Sequence, residues 1–159
     1  MIRYLGLVVA LLAPAPALAL SCLAPSVESS YARYDAAEDA YVVVHGRLTL
    51  LEKDLPNGMA ADQPPPHMTR VTAKIGGKLL GPSGFTLPFE RAVMLEVACI
   101  GPWCGSVRNG EDVLAFVRKD AQGYALAVNP CGRAVFSAPK RSMLKRAKQC
   151  MKRNDCTAL

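Results

Sequence analysis

Histidine is scarce in this 159-residue chain, with only His45 and His67. Both lie far in sequence from every cysteine, and no Cys-x-x-Cys pair occurs, so the ligand spacing of a zinc site is missing. A phosphate-cradling glycine loop, a Gly-x-Ser-x-Gly elbow and a His-Glu-x-x-His helix are absent as well. His45 has no acid, nucleophile or second histidine near it in sequence from which a triad could be assembled. Glu111-Asp112 is an adjacent carboxylate pair, but neighbours on a strand point to opposite faces, so the pair reads as a strand start rather than as an acid/base couple. These absences leave enzymatic activity as the least supported class and imply no cofactor and no metal.

A long apolar run is also lacking. The uncharged stretch Leu5 to Ala13 falls short of the about 20 residues that cross a bilayer. What surrounds it has the three parts of a secretory signal: Arg3 ahead, the short apolar core, and Pro14-Ala15-Pro16-Ala17-Leu18-Ala19 ending in a small-x-small site. Residues 1–19 are therefore expected to be a signal peptide and residues 20–159 the mature domain. An uncleaved anchor is one alternative. A lipid anchor on Cys22 is another, although Ala19-Leu20-Ser21-Cys22 sets Leu one place late for lipid attachment.

All six cysteines follow Ala19: Cys22, Cys99, Cys104, Cys131, Cys150 and Cys156. An even number in an exported chain reads as a disulfide framework, whose connectivity the residues alone leave open. The expected location is secreted or periplasmic. The formal charge of +6 is gathered in one place. Between residues 20 and 139 there are 11 basic and 12 acidic residues, whereas 140–153 hold Lys140, Arg141, Lys145, Arg146, Lys148, Lys152 and Arg153.

The strand signals run through the middle of the chain. Ala40 to Leu51 alternates cleanly, with Val42, Val44, Gly46, Leu48 and Leu50 on one face. Gly46 within it suggests a bulge or coil. Met68 to Ile75 alternates again until Gly76-Gly77; Phe85, Leu87 and Phe89 form a short strand or an ordered apolar edge; Ala92 to Ile100 is a further strand. Val113 to Val117 and Tyr124 to Val128 flank a Gly-containing turn. Before the first strand, Ser26 to Asp39 reads as a short capped helix. After the last, Met143, Leu144, Ala147, Cys150 and Met151 make one apolar stripe on a basic helix, with Ser137 or Ala138 as cap, Pro139 in the first turn and Asn154-Asp155 as its end. The expected fold is mainly β: a small five-stranded Greek-key barrel or sandwich with a short N-terminal helix and a C-terminal amphipathic helix.

Several pieces in order carry a resemblance: Cys22-Leu23-Ala24-Pro25, the strand Val42 to Leu48, Trp103-Cys104-Gly105, Gly110 to Phe116, Gly123 to Leu126 running into Cys131-Gly132, and the closing helix with its cysteines. Across most of residues 22–156 the chain resembles the netrin-like module, and within it the N-terminal domain of the tissue inhibitors of metalloproteinases. The resemblance implies an oligonucleotide/oligosaccharide-binding-type (OB) barrel of five strands with helices at its flank. It also implies disulfides Cys22–Cys131, Cys99–Cys104 and Cys150–Cys156. In that family the mature chain starts at a cysteine whose amino group and carbonyl chelate the protease zinc, with a second cysteine two residues on. Here Leu20 stands at the first of those positions and Cys22 at the second, and cleavage after Ala19 leaves Leu20-Ser21 ahead of Cys22.

The functional expectation is an exported, monomeric, non-enzymatic binding module of netrin-like type. Its candidate contact residues are Leu20, Ser21 and Cys22 in the N-terminal segment and Lys145 and Arg146 on the basic helix. The helix is a candidate for an acidic surface, a polyanion or anionic lipid, or else a solvated face on a docked helix. Nucleic acid is not an expected partner outside the cell. The alternative function is a metalloprotease inhibitor acting through the segment around Cys22.

Overall fold

The computed structural model describes residues 21–51, 55–58, 63–153 and 156. The expected signal segment 1–19, the candidate Leu20 and the expected helix end Asn154-Asp155 lie outside these residues. The elements are α1 (Val27–Asp35), β1 (Ala40–Leu50), β2 (Met68–Gly81), β3 (Gly84–Ile100), β4 (Trp103–Cys104), β5 (Glu111–Asp120), β6 (Gly123–Val128), β7 (Val135–Ser137) and α2 (Arg141–Arg153).

Five strands close on themselves. β1 pairs with β2 on one edge and with β5 on the other; β2 pairs with β3, β3 with β6 and β6 with β5. All of these pairings are antiparallel except β3–β6, which is parallel. The ring is a small OB-like Greek-key barrel. β4 folds back on the end of β3, and β7 lies beside β5 where β6 does not reach.

Alternation decides what faces inward. From β1, Val44 and Leu48 point into the barrel with Val71, Ala73 and Ile75 of β2 and Val93, Leu95 and Val97 of β3. Burying each of the larger ones contributes about 1.5–3 kcal/mol. β5 reads apolar at five consecutive positions because both of its faces are covered. Val113, Ala115 and Val117 face the interior. Leu114 and Phe116 face outward under the helices, with Val27, Tyr31, Val43, Phe136, Ala147 and Cys150. The stripe on α2 is therefore a packing stripe. α1 begins at a reciprocal cap, in which the Ser26 hydroxyl accepts from the Ser29 N–H and the Ser29 hydroxyl accepts from the Ser26 N–H. Among the described residues no helix is long and apolar enough to cross a membrane.

The sulfur atoms join Cys22 to Cys131, Cys99 to Cys104 and Cys150 to Cys156, the pairs that the netrin-like resemblance implies.

Four expectations need correction. Gly46 is not a bulge, since the β1–β2 register runs evenly through Gly46↔Gly77. These glycines instead allow two backbones to approach: a Cβ on Gly46 would lie 2.5 Å from the Gly76 carbonyl oxygen. Gly76-Gly77 does not break β2, which continues to Gly81, and the irregularity falls at Leu79/Leu80. The short strand or edge around Phe85 is not separate from the strand at Ala92: the two are one 17-residue strand, held by β2 along its length. α2 starts at Arg141, because Ser137 is taken by β7 and Ala138 turns the chain with φ 44°.

Candidate functional site

Strand direction brings several chain segments to one end of the barrel. β1 finishes there at Leu50, β2 starts at Met68, β3 finishes at Ile100, β5 starts at Glu111 and β6 finishes at Val128. At this end β3 reverses through Gly101, at φ 57°, into β4. Cys99 stands directly opposite Cys104, with Cα atoms 4.0 Å apart, and Ile100 stands opposite Trp103. The hairpin rests on the end of β6. The Gly105 N–H donates to the Ala98 carbonyl at 2.9 Å, and any side chain at Gly105 would run into the Val128 carbonyl.

Three residues past Val128, Cys131 is bonded to Cys22 with Cα atoms 5.4 Å apart. The segment from Ser21 to Pro25 is thereby strapped to the same end. The loop after β1 joins it too. Gly58 lies so close to Pro102 that a Cβ would sit 2.5 Å from its carbonyl oxygen, and the His67 carbonyl accepts from the Cys99 N–H at 3.0 Å.

This end leaves apolar side chains in water. Leu23 is 85% exposed, Leu51 59%, Ile100 51% and Met68 49%. Among the described residues the other exposed large apolar side chains, Leu87 and Met94, lie along β3. Exposed apolar groups concentrated in one region mark contact surfaces more often than scattered ones do.

A polar frame holds the base of the end. The Glu111 carboxylate is 6% exposed and accepts from the Arg108 N–H at 3.1 Å and from the Arg108 guanidinium at 3.0 Å. Burial pushes the Glu111 carboxyl up, but these bonds and one from Ser137 outweigh it and hold the group below its ordinary value. Asn109 Oδ1 accepts from the Leu50 N–H at 3.0 Å, and Arg47 donates to the Gly110 carbonyl at 3.1 Å.

Asp112 faces away from Glu111, as strand alternation requires. Its Oδ2 lies 3.0 Å from Nε2 of His45 on the outer wall. This acidic partner for His45 is 67 residues distant in sequence and invisible to local reading. The ring of His45 meets Phe85 edge-on, with centroids 5.7 Å apart. No hydroxyl or thiol is hydrogen-bonded to it among the described residues, so the pair links β1 to β5 on the wall without a nucleophile.

Of the candidate contact residues, Ser21 and Cys22 are exposed and strapped to the apolar end. Lys145 is exposed on α2. Arg146 is tied down: its Nε lies 2.8 Å from Oε1 of Glu28 on α1. The two groups of candidates therefore belong to different surfaces. Sequence reasoning missed Leu51, Met68 and Ile100. Each sits at a strand end on the outward phase, one step from an inward-facing position, and that offset was the available signal. No cysteine is free to bind metal. Among the described residues no group of three or more histidine, cysteine or carboxylate side chains converges.

Comparison with known protein families, characterised proteins and solved structures finds no match for this chain.

Proposed function

We propose that the protein is an exported, non-enzymatic binding module of netrin-like type that meets a protein partner through the apolar, disulfide-braced end of its barrel. The reading rests on one observation: among the described residues, four of the six exposed large apolar side chains, Leu23, Leu51, Met68 and Ile100, belong to that end. Covering them removes apolar surface from water, the main driving force of association. Cys22–Cys131 and Cys99–Cys104 fix the backbone that presents Leu23 and Ile100, so little ordering cost opposes binding. Three disulfides and the signal-like N-terminus support export.

The test is capture of extracytoplasmic proteins on immobilised mature protein, comparing wild type with Leu23→Asp/Ile100→Asp. A partner retained by wild type and by a Lys145→Glu control, but lost with the double variant, supports the reading. Retention that ignores the double variant overturns it.

The exposed Ser21-Cys22-Leu23 segment, strapped by Cys22–Cys131, favours one second reading: inhibition of an extracytoplasmic metalloprotease through the residues around Cys22. That chemistry needs the amino group of Cys22 at the mature terminus. N-terminal sequencing of the exported protein decides the matter, because a chain beginning at Leu20, or a lipid on Cys22, removes inhibition.

A further inference from the structure

The outer wall of the barrel has an opening in its layer of side chains. On β2 the outward positions are Lys74, Gly76 and Lys78, while Ile75 between them points into the core. Gly76 stands opposite Arg47 of β1 on one side and Glu90 of β3 on the other. With no side chain at Gly76, the backbone of the sheet is the floor of a groove of about 510 Å³, bordered by Arg47, Thr49, Lys74, Lys78 and Glu90. Such a volume falls within the about 300–1,000 Å³ usual for small-ligand sites.

The fold gives Gly76 no reason to be glycine. At Gly46 and at Gly77 a Cβ would run into the backbone of the facing strand. At Gly76 a Cβ would meet nothing within 4 Å, and the residue does not have a positive φ. The irregularity in the β2–β3 register lies further on, at Leu79/Leu80. A glycine inside a strand weakens it, and where neither a bulge nor a facing backbone accounts for it, it marks a place where a ligand comes close.

The charges around the opening indicate which kind of ligand. Lys74 and Lys78 lie two residues to either side of Gly76, and all three cations are exposed. Among the described residues Glu90 is the one carboxylate of the lining, and it is engaged with Lys74, which holds its carboxyl below the ordinary value. Arg47 spends Nη1 on the Gly110 carbonyl, and neither Arg47 nor Lys78 makes an ion pair among the described residues. Asp112, opposite Arg47 on β5, is turned to His45.

We infer that this groove binds a phosphate or sulfate monoester, with its oxyanion over Gly76 among Arg47, Lys74 and Lys78 and its organic part along the rest of the groove. Three cations grouped about one opening suit the three terminal oxygens of a tetrahedral ester, which a planar carboxylate does not offer. An inorganic ion alone would fill a small part of the volume. A cationic ligand would meet three like charges and a carboxylate already taken. Thr49 adds a hydroxyl that can donate or accept. The groove lies on the wall and not at the end that carries Leu23, Leu51, Met68 and Ile100, so failure of either site leaves the other standing.

Isothermal titration of the mature protein with glucose 6-phosphate and with glucose 6-sulfate tests the inference, with glucose and inorganic phosphate compared at matched ionic strength. The expected result is saturable one-to-one binding of at least one ester, the better one identifying the oxyanion. Glucose is expected not to bind, and inorganic phosphate to bind about tenfold more weakly. Gly76→Val is expected to abolish ester binding and yet to raise the urea midpoint, since a β-branched side chain suits a strand better than glycine does. Lys78→Gln is expected to weaken binding about tenfold. Glu90→Gln removes the competing carboxylate and is expected to strengthen binding about threefold. Failure of both esters to bind overturns the inference, as does inorganic phosphate binding as tightly as the esters. Ester binding that survives Gly76→Val, or that Glu90→Gln weakens, overturns it too. A lowered urea midpoint in Gly76→Val would give the glycine a role in the backbone and remove the argument.

Discussion

The two ends of this barrel are held by different means, and the difference bears on what each can offer a partner. At the end formed by Leu50, Met68, Ile100 and Val128, two disulfides hold the hairpin and the N-terminal strap. Large side chains there are released from packing, and Leu23 and Ile100 stand in water. At the other end no disulfide joins the strands. Apolar groups there are spent on cohesion, with Tyr34 stacked between Tyr41 and Phe116, and Arg118 of β5 reaches Glu96 of β3 while also pairing with Asp120 on its own strand. Covalent bracing frees apolar surface for contact. Packing and ion pairing consume it and leave a polar rim.

The largest way to break the contrast is to remove the braces. In the chain-entropy picture a disulfide stabilises according to the loop it closes. The Cys22–Cys131 bond spans 109 residues and its removal by Cys22→Ser/Cys131→Ser is expected to cost about 4–5 kcal/mol. Cys99–Cys104 spans only 5, and its removal is expected to cost about 2 kcal/mol. Urea unfolding of the two double variants measures both. Equal losses would mean that the braces act through native packing and not through the unfolded chain.

That difference in loop length also marks how far the sequence could be read. Alternation in Val42 to Leu50 and in Val113 to Val117 was legible because a barrel interior demands period two. The outer layer under α1 and α2 was half legible: the stripe from Met143 to Met151 showed a docking face, while its seat on Leu114 and Phe116 depended on strand pairing. Gly46 and Gly77 misled, because a glycine needed for backbone approach looks the same in one dimension as a glycine that ends a strand. The apolar end was the least legible part. Leu23, Leu51, Met68 and Ile100 come from four separate segments, and only the closure of the ring and the distant Cys22–Cys131 pair gather them. The pairing of His45 with Asp112 was hidden for the same reason.

A second way to sharpen the contrast is pH, because the two ends titrate in opposite directions. Glu111 at the braced end has a folded pKa below its ordinary value. The unfolded chain therefore takes up the proton first, and the stabilisation is present above the unfolded pKa and lost as pH falls through the folded one. Glu111→Gln is expected to cost about 1–2 kcal/mol at neutral pH and to flatten the loss of stability as pH falls through and below the ordinary carboxylate range. Tyr31 and Tyr34 at the other end have folded pKa values raised by burial. For these acids the folded state keeps the proton longer, so their stabilisation is present below the ordinary phenol value and lost as pH rises through and beyond it. Urea midpoints across the acid range, together with the phenolate ultraviolet band across the alkaline range, report the two ends separately. An acid loss unchanged by Glu111→Gln would disconnect the braced end from the low-pH transition.

The smallest effect concerns the basic helix, which lies against the outer wall and carries most of the positive excess. Its two candidate residues differ in freedom. Arg146 is engaged with Glu28 at 2.8 Å, whereas Lys145 is exposed and has no ion pair among the described residues. Arg146→Ala is expected to cost about 0.5 kcal/mol, the scale of a partly exposed ion pair. Lys145→Glu is expected to stay within about 0.5 kcal/mol of wild type, the scale of a surface change without partners. If α2 meets a polyanion, Lys145→Glu elutes from a heparin column at clearly lower salt than wild type, since each cation facing the polymer adds to the salt-dependent attraction. Unchanged elution removes the polyanion from the list of partners. The helix is then a cover for Leu114 and Phe116 whose charges serve only to keep its far side in water.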